Sequence, residues 1–318
     1  MANKPELYSL KTKRVWVAGH RGMVGSAIVR RLEDEDCEVF TATREQLDLC
    51  SQGAVEEWMA QEKPDAVFLA AATVGGIDAN RSRPADFIYN NLSIETNIIH
   101  AAWKNDVGKL MFLGSSCIYP KLAPQPMREE DLLGGPLEPT NQWYAIAKIA
   151  GIMLCQAFRQ QHGCDFISAQ PTNLYGIGDN FDLQSSHVLP ALMAKAHQAK
   201  NDGAESMEVW GSGNPKREFL FVDDLADALV HMMKHYSDDI QINVGTGEDM
   251  SIRDAAQLVC QVVGFSGDLV FDASMPDGSP RKLLNVDRLA EMGWTAQTSL
   301  EDGLKQTYDW YLENTVNA

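Results

Sequence analysis

A short, largely apolar run, Arg14-Val15-Trp16-Val17-Ala18, stops at Gly19-His20-Arg21-Gly22-Met23-Val24-Gly25 and is followed at once by a helical apolar pattern from Met23 to Leu32. Glycines at i, i+3 and i+6 remove the Cβ atoms that would block a tight turn, and they let a pyrophosphate approach the amides of a helix N-terminus. The same spacing occurs in ordinary glycine turns. The strand before it and the helix after it turn the reading toward the opening of a dinucleotide-binding βαβ unit.

Strand-like runs recur near 38–41, 66–71, 109–113 and 166–170, separated by helical stretches near 54–62, 85–104 and 141–161. This alternation predicts an α/β chain built on a Rossmann-type doubly wound parallel sheet. After Pro171 the rhythm changes, with turn-rich segments around 176–182, 211–215 and 277–280 and helices near 188–200 and 223–235. The expectation is a cofactor-binding domain over residues 1–175 and a smaller C-terminal α/β lobe over 176–318 that mainly binds substrate. The 241–244 run is a candidate to return to the main sheet. No internal repeat is visible.

The 318 residues carry 27 Lys plus Arg against 44 Asp plus Glu, a formal charge of −17, which argues against a general nucleic-acid or anionic-membrane surface. An anionic ligand therefore requires a local cluster of cations. The segment from Met1 to Thr12 is polar and no stretch approaches ~18 consecutive apolar residues, so a cytoplasmic location is expected. The six cysteines show neither Cys-x-x-Cys spacing nor the density of a disulfide scaffold, and no metal site is expected.

NAD and NADP are told apart at the end of the second strand, where an acid holds a ribose 2′-hydroxyl and an arginine accepts a 2′-phosphate. Phe40-Thr41-Ala42-Thr43-Arg44 offers no acid, and Arg44, with Arg21 from the glycine loop, favours NADPH. Arg44 is also readable as a solvated surface arginine. Asp48 either contacts adenine or caps a helix, and capping is the simpler explanation.

Tyr144 and Lys148 lie one helical turn apart, so the ammonium is placed to stabilise a tyrosinate, and the phenol to give a proton to a carbonyl oxygen as hydride arrives. Ser115, at the end of the fourth strand, is suited to hydrogen-bond the same oxygen. Two residues on, in Leu113-Gly114-Ser115-Ser116-Cys117-Ile118-Tyr119-Pro120, stands a thiol that can move a proton on carbon. A chain with all four points to an enzyme that both epimerises and reduces a sugar.

With these residues in place the chain resembles the extended short-chain dehydrogenase/reductases, and among them those acting on GDP-linked 4-keto sugars. The resemblance runs through Gly19 to Gly25, Ala70 to Ile77, Gly114 to Pro120, Tyr144 to Gly151, Pro171 to Gly176, Ser186 to Pro190, Arg217 to Asp224 and Pro276 to Lys282, nearly the whole chain. It implies NADPH as cofactor, held by the glycine loop, Arg44, Asp48, Ala70, Ala71, Tyr144, Lys148, Pro171, Asn173, Leu174 and His187. It also implies GDP-4-keto-6-deoxy-D-mannose as substrate, inverted at C3 and C5 and then reduced at C4. The family's proton-exchanging pair matches Cys117 and His187, and its reducing group matches Ser115, Tyr144 and Lys148.

The resemblance further implies a nucleotide-sugar pocket made from Asn173, Lys195, Trp210, Arg217 and Lys282. Arg217 and Lys282 make chemical sense as a diphosphate clamp. Trp210 either stacks on guanine or packs under the Gly211-Ser212-Gly213 turn. Lys195 stands where the family often has arginine, which keeps the charge and loses the bidentate fork. Apolar residues run broadly around the helices at 94–103 and 144–158. They are buried either under the second lobe or, as in the family, in a four-helix bundle of a homodimer.

Other readings fit less well. A UDP-sugar 4-epimerase shares the fold but not the Cys117 and His187 pair, and a 4,6-dehydratase would carry an acid where Ser116-Cys117 stands. A non-catalytic NADPH-binding regulator would lack Tyr144, Lys148 or Cys117. The closer rival acts on a GDP-linked 3,6-dideoxy 4-keto sugar and needs inversion only at C5, with Thr73, Asp78 and Trp143 as residues able to tune that choice.

Overall fold

The computed structural model describes residues 5–183, 185–275 and 277–316, except for the side chains of Ile77 and Asp78. Pro276, which opens the last resembling segment, and the Asp78 carboxyl lie outside the described residues. In chain order the first half runs β1 (Arg14–Ala18), α1 (Met23–Leu32), β2 (Glu38–Phe40), α2 (Gln52–Glu62), β3 (Ala66–Leu69), α3 (Ile77–Ser82), α4 (Pro84–Lys104), β4 (Lys109–Leu113), α5 (Gln142–His162) and β5 (Phe166–Pro171). There follow β6 (Asn173–Tyr175), α6 (Val188–Asn201), β7 (Ser206–Trp210), β8 (Lys216–Arg217), β9 (Phe219–Phe221), α7 (Val222–His235) and β10 (Ile242–Val244). The chain closes with β11 (Met250–Ser251), α8 (Ile252–Val263), β12 (Asp268–Asp272), β13 (Arg281–Lys282), α9 (Asp287–Glu291) and α10 (Leu300–Tyr311).

Six strands form one parallel sheet in the order β2-β1-β3-β4-β5-β10. β3 and β4 are buried along their whole length, as continuous apolar strands covered on both faces should be. Helices α1 and α7 pack on one face around Val15, Val17, Ile28 and Leu229, while α2, α4 and α5 cover the other around Trp16, Val67, Ile98 and Phe112. β1 has β2 on one side and β3 on the other, so the strand order reverses at its carboxyl end, and the crevice there is where such sheets bind ligands. β10 pairs with β5, bringing the 241–244 run back to the sheet edge.

A third core lies outside the sheet, where α6, α8 and α10 pack with β7 and β9 around Met193, Val209, Phe221, Val259 and Leu304. Its strands are short, and three of them, β8, β11 and β13, have two residues each. Among the described residues no helix is long and apolar enough to cross a membrane.

Candidate active site

At the carboxyl ends of the parallel strands opens a cavity of about 1180 Å³. Its first end is the glycine turn. Gly19 has φ +92°, and a Cβ there would collide with the Ala71 backbone, while one on Gly25 would overlap the Gly19 carbonyl. The turn can therefore close only with glycine at both places. α1 starts from Gly22 with no side-chain cap, which leaves first-turn amides at Met23, Val24 and Gly25 for a ligand. His20 has a buried Nδ1 with no hydrogen-bond partner, and burial lowers its pKa.

Ala70, Ala71, Pro171, Asn173, Leu174 and Arg44 line the same cavity. Arg21 is ion-paired with Glu45 at 3.7 Å, beside Arg44 in the chain. Asp48 also lines the cavity, but its Oδ1 accepts from the Cys50 amide at 3.0 Å, a local turn; α2 takes Ser51 as its N-cap instead. The expectation that Asp48 caps the helix is thus displaced by a turn two residues on, a common use of an Asp side chain.

The second set surrounds the end of β4. Ser115 is held by its amide on Gln170 Oε1 at 2.9 Å, and its Oγ accepts from the Cys117 amide at 3.3 Å, so a single 3₁₀ turn (Ser116–Ile118) fixes the thiol relative to the hydroxyl. The Tyr144 phenol lines the same cavity as Ser115. Its pKa is raised, above all by burial, then by Cys117 and Glu95. Lys148, expected to support that phenol, is engaged by Glu95 on α4. Lys148 and Glu95 are 2% and 1% exposed, and Nζ lies 2.9 Å from Oε1. The ammonium sits 4.7 Å over the Phe112 ring and 5.9 Å from the Tyr144 ring centre. Burial raises the Glu95 carboxyl and Lys148 opposes that rise.

His187 is the N-cap residue of α6, makes no capping bond, and is open to the cavity. The protein packed around its ring lowers its pKa. Asn141 Nδ2 donates to Cys117 Sγ at 3.1 Å. Neither Glu95 nor Asn141 was visible as a site residue in the sequence, because each reaches its partner through tertiary packing; Asn141 immediately before the Tyr144 helix was the one available hint.

The third set comes from the short strands. β13 runs parallel to β8 with Lys282 opposite Arg217, so two residues 65 apart in sequence become neighbours on the cavity wall. Burial lowers the Arg217 pKa against the pull of Asp277. Lys195 Nζ sits 4.7 Å over the half-exposed Trp210 ring, and the indole donates to Glu208. Asn173 donates to the Glu218 carbonyl at 2.8 Å. The Glu218 carboxylate is wholly buried and accepts from the amides of Thr246, Gly247 and Leu284, tying together the segments that follow β8, β10 and β13. Thr73 lines the cavity, whereas Trp143 is not among the cavity-lining residues and lies on the exposed face of α5. All six cysteines are unpaired, and among the described residues no cluster of His, Cys, Asp or Glu is placed to hold a metal ion.

A glycine turn at the switch point of a parallel sheet, with a Ser-Tyr-Lys group at a neighbouring strand end, defines the class of nucleotide-dependent epimerases and reductases. The chain belongs to the NAD dependent epimerase/dehydratase family, whose pattern matches residues 15–245. It is 59% identical over 311 residues to the GDP-L-fucose synthase of Sinorhizobium fredii, covering 98% of this chain and 99% of that one. The GDP-L-colitose synthase of Yersinia pseudotuberculosis is 36% identical, with 96% and 99% covered. Among solved structures, a GDP-L-fucose synthetase from Naegleria fowleri bound to NADP superposes with a TM-score of 0.91 at 29% identity, covering 100% of this chain and 99% of that one.

Proposed function

We propose that this chain converts GDP-4-keto-6-deoxy-D-mannose to GDP-L-fucose with NADPH, inverting C3 and C5 and then reducing the C4 ketone. The observation that carries the reading is that Ser115, Tyr144, Lys148, Cys117 and His187 line one cavity, and that Arg217 and Lys282 stand paired in the same cavity.

The cradle at Gly19 and Gly25, which a Cβ would fill, fits a pyrophosphate on the first-turn amides of α1. Arg44 and Arg21 fit a ribose 2′-phosphate, and Ala70, Ala71, Pro171, Asn173 and Leu174 complete the wall. NADPH held there supplies the hydride for C4. Arg217 and Lys282 grip the sugar nucleotide's diphosphate, and Lys195 with Trp210 flanks the rest of the nucleotide, one ammonium replacing the fork an arginine would offer.

Ser115 and Tyr144 hold the C4 oxygen, so the ketone acidifies the protons on both neighbouring carbons. Of Cys117 and His187, one takes the proton from carbon as the C–H electron pair moves toward the C4 oxygen, and the other returns a proton from the opposite face. The lowered pKa of His187 leaves its imidazole easily deprotonated near neutrality. After both inversions Tyr144 gives its phenolic proton to the C4 oxygen, which its raised pKa keeps available. The GDP-linked 3,6-dideoxy 4-keto sugar is the alternative substrate, and no described feature of the cavity favours it.

Residues 1–175 serve mainly the cofactor and 176–318 mainly the sugar nucleotide. Two chains join through α4 and α5, whose exposed Tyr89, Ile146 and Met153 form an apolar surface that a four-helix bundle would cover. The protein works in the cytoplasm. The test is to offer each keto sugar with NADPH and identify products by NMR. Faster turnover of the 6-deoxy substrate to GDP-L-fucose supports the reading; preference for the dideoxy sugar, or reduction without inversion, overturns it.

A further inference from the structure

Asn141 occupies the N-cap of α5, a position where an Asn side chain ordinarily bonds a first-turn amide of its own helix. Here it makes no capping bond. Its Nδ2 donates instead to Cys117 Sγ at 3.1 Å, and its Oδ1 is buried without a hydrogen-bond partner, in a residue that lines the cavity. Two costs are therefore accepted at one residue. A helix end forgoes its cap, and a buried carbonyl oxygen goes unpaired, which native proteins rarely tolerate without a use for it.

We propose that Asn141 is a further catalytic residue of the proton-exchange reaction, its amide N–H bonding the Cys117 sulfur when the sulfur is charged and its Oδ1 accepting from the S–H formed when the sulfur takes the proton. The inference rests on the assignment of Cys117 to proton transfer at carbon. An N–H donor on a sulfur is worth most when the sulfur is charged, because a bond to an ion is about twice as strong as one between neutral groups. When Cys117 takes the proton, the C–H bond breaks, an S–H bond forms, and the C–H electron pair moves toward the C4 oxygen. The thiol then presents a proton where it had presented a lone pair. A half-turn of the amide about its last bond sets Oδ1 against that S–H, so a single side chain serves both protonation states of the sulfur.

Helix capping and catalysis make opposite predictions for one isosteric change. Aspartate is as good an N-cap as asparagine, and its charge favours a helix N-terminus. Against a thiolate, however, the same carboxylate repels and has no N–H to give. The experiment compares wild type, Asn141→Asp and Asn141→Ala in three measurements. These are the thermal midpoint, the rate of Cys117 alkylation by iodoacetamide at neutral pH followed by peptide mass spectrometry, and solvent deuterium entry at C3 and C5 of GDP-4-keto-6-deoxy-D-mannose with NADP⁺ in place of NADPH. The expected result is that Asn141→Asp keeps the wild-type midpoint yet slows both alkylation and deuterium entry by about tenfold or more, the scale of one charge-assisted hydrogen bond. Asn141→Ala slows both by a similar factor.

Wild-type alkylation and deuterium entry in Asn141→Asp would reduce Asn141 to a cap and overturn the proposal. So would slower deuterium entry with unchanged alkylation, since the contact with sulfur would then carry no weight. Alkylation needs no substrate, so it judges the contact even if the wild-type protein leaves C3 and C5 unexchanged. That last result would instead sink the proposed function.

Discussion

The reaction centre at the end of β4 and the cationic pair on β8 and β13 are built in opposite ways. Lys148, its ion-pair partner Glu95 and the Phe112 ring beneath the ammonium are all essentially without solvent, and they stand on long helices and a fully buried strand. Arg217 and Lys282 stand on two-residue strands, with Arg217 held by the Lys216 and Asp277 carbonyls. The first arrangement sets its charged groups in a dry environment, where electrostatic effects are strong. The second presents two cationic side chains next to each other on the cavity wall. The difference teaches that the residues proposed for reduction are braced by the sheet and its long helices, whereas those proposed for diphosphate recognition stand on strands of two residues.

Substitutions at the two ends should therefore fail differently. Cys117→Ser should lower deuterium entry at C3 and C5 by about 100- to 10,000-fold, the range of a lost general acid or base, while leaving NADPH affinity intact by fluorescence titration. Tyr144→Phe should lower NADPH oxidation by a similar factor and spare most of the deuterium entry, separating reduction from inversion within the reaction centre. At the recognition end, Arg217→Ala or Lys282→Ala should raise KM for the sugar nucleotide by about 10- to 100-fold with a smaller change in kcat, as expected for a lost contact to a charged group. A kcat effect as large as that of Tyr144→Phe would erase the distinction between the ends.

A finer probe is Glu95→Gln. The Tyr144 pKa is raised by burial, then by Cys117 and Glu95, and the phenol must be protonated to act, so reduction should persist well into the alkaline range. Removing the Glu95 charge takes away one raising influence and frees the Lys148 ammonium toward the phenol. The alkaline loss of NADPH oxidation should then begin about 1–3 pH units lower. An unmoved profile would mean that Glu95 is neutral in the wild-type protein.

The smallest effect is expected at Asp179, which belongs to neither end. Burial raises its pKa from 3.8 to about 7, and its Oδ2 has no partner. The folded state therefore holds a proton that the unfolded chain releases, and stability present below about pH 4 is lost as pH rises through about 7. Asp179→Asn should flatten that decline and raise the thermal midpoint by a few degrees at pH 8, measured by calorimetry.

The sheet was legible in the sequence because its periodicity and punctuation are local. β1, α1 and β4 fall where the apolar runs end at glycine or polar residues, and Tyr144 and Lys148 need only helical spacing to face the same way. The register that sets Lys282 opposite Arg217 was not legible, since strands of two residues have no period, and those residues entered only through resemblance. The Glu95 to Lys148 pair was hidden for a related reason. A Glu in the middle of an amphipathic helix reads as solvated surface until α4 is seen to pack on α5. The same kind of burial is the largest influence raising the Tyr144 pKa.

The central claim is that one cavity performs both proton exchange at carbon and reduction. The direct measurement is a reaction of the protein with GDP-4-keto-6-deoxy-D-mannose and NADPH in deuterium oxide, followed by NMR of the product and nicotinamide absorbance. The account predicts GDP-L-fucose carrying deuterium at both C3 and C5, formed one for one with NADPH consumed. NADPH consumption that yields an uninverted, undeuterated sugar would contradict it.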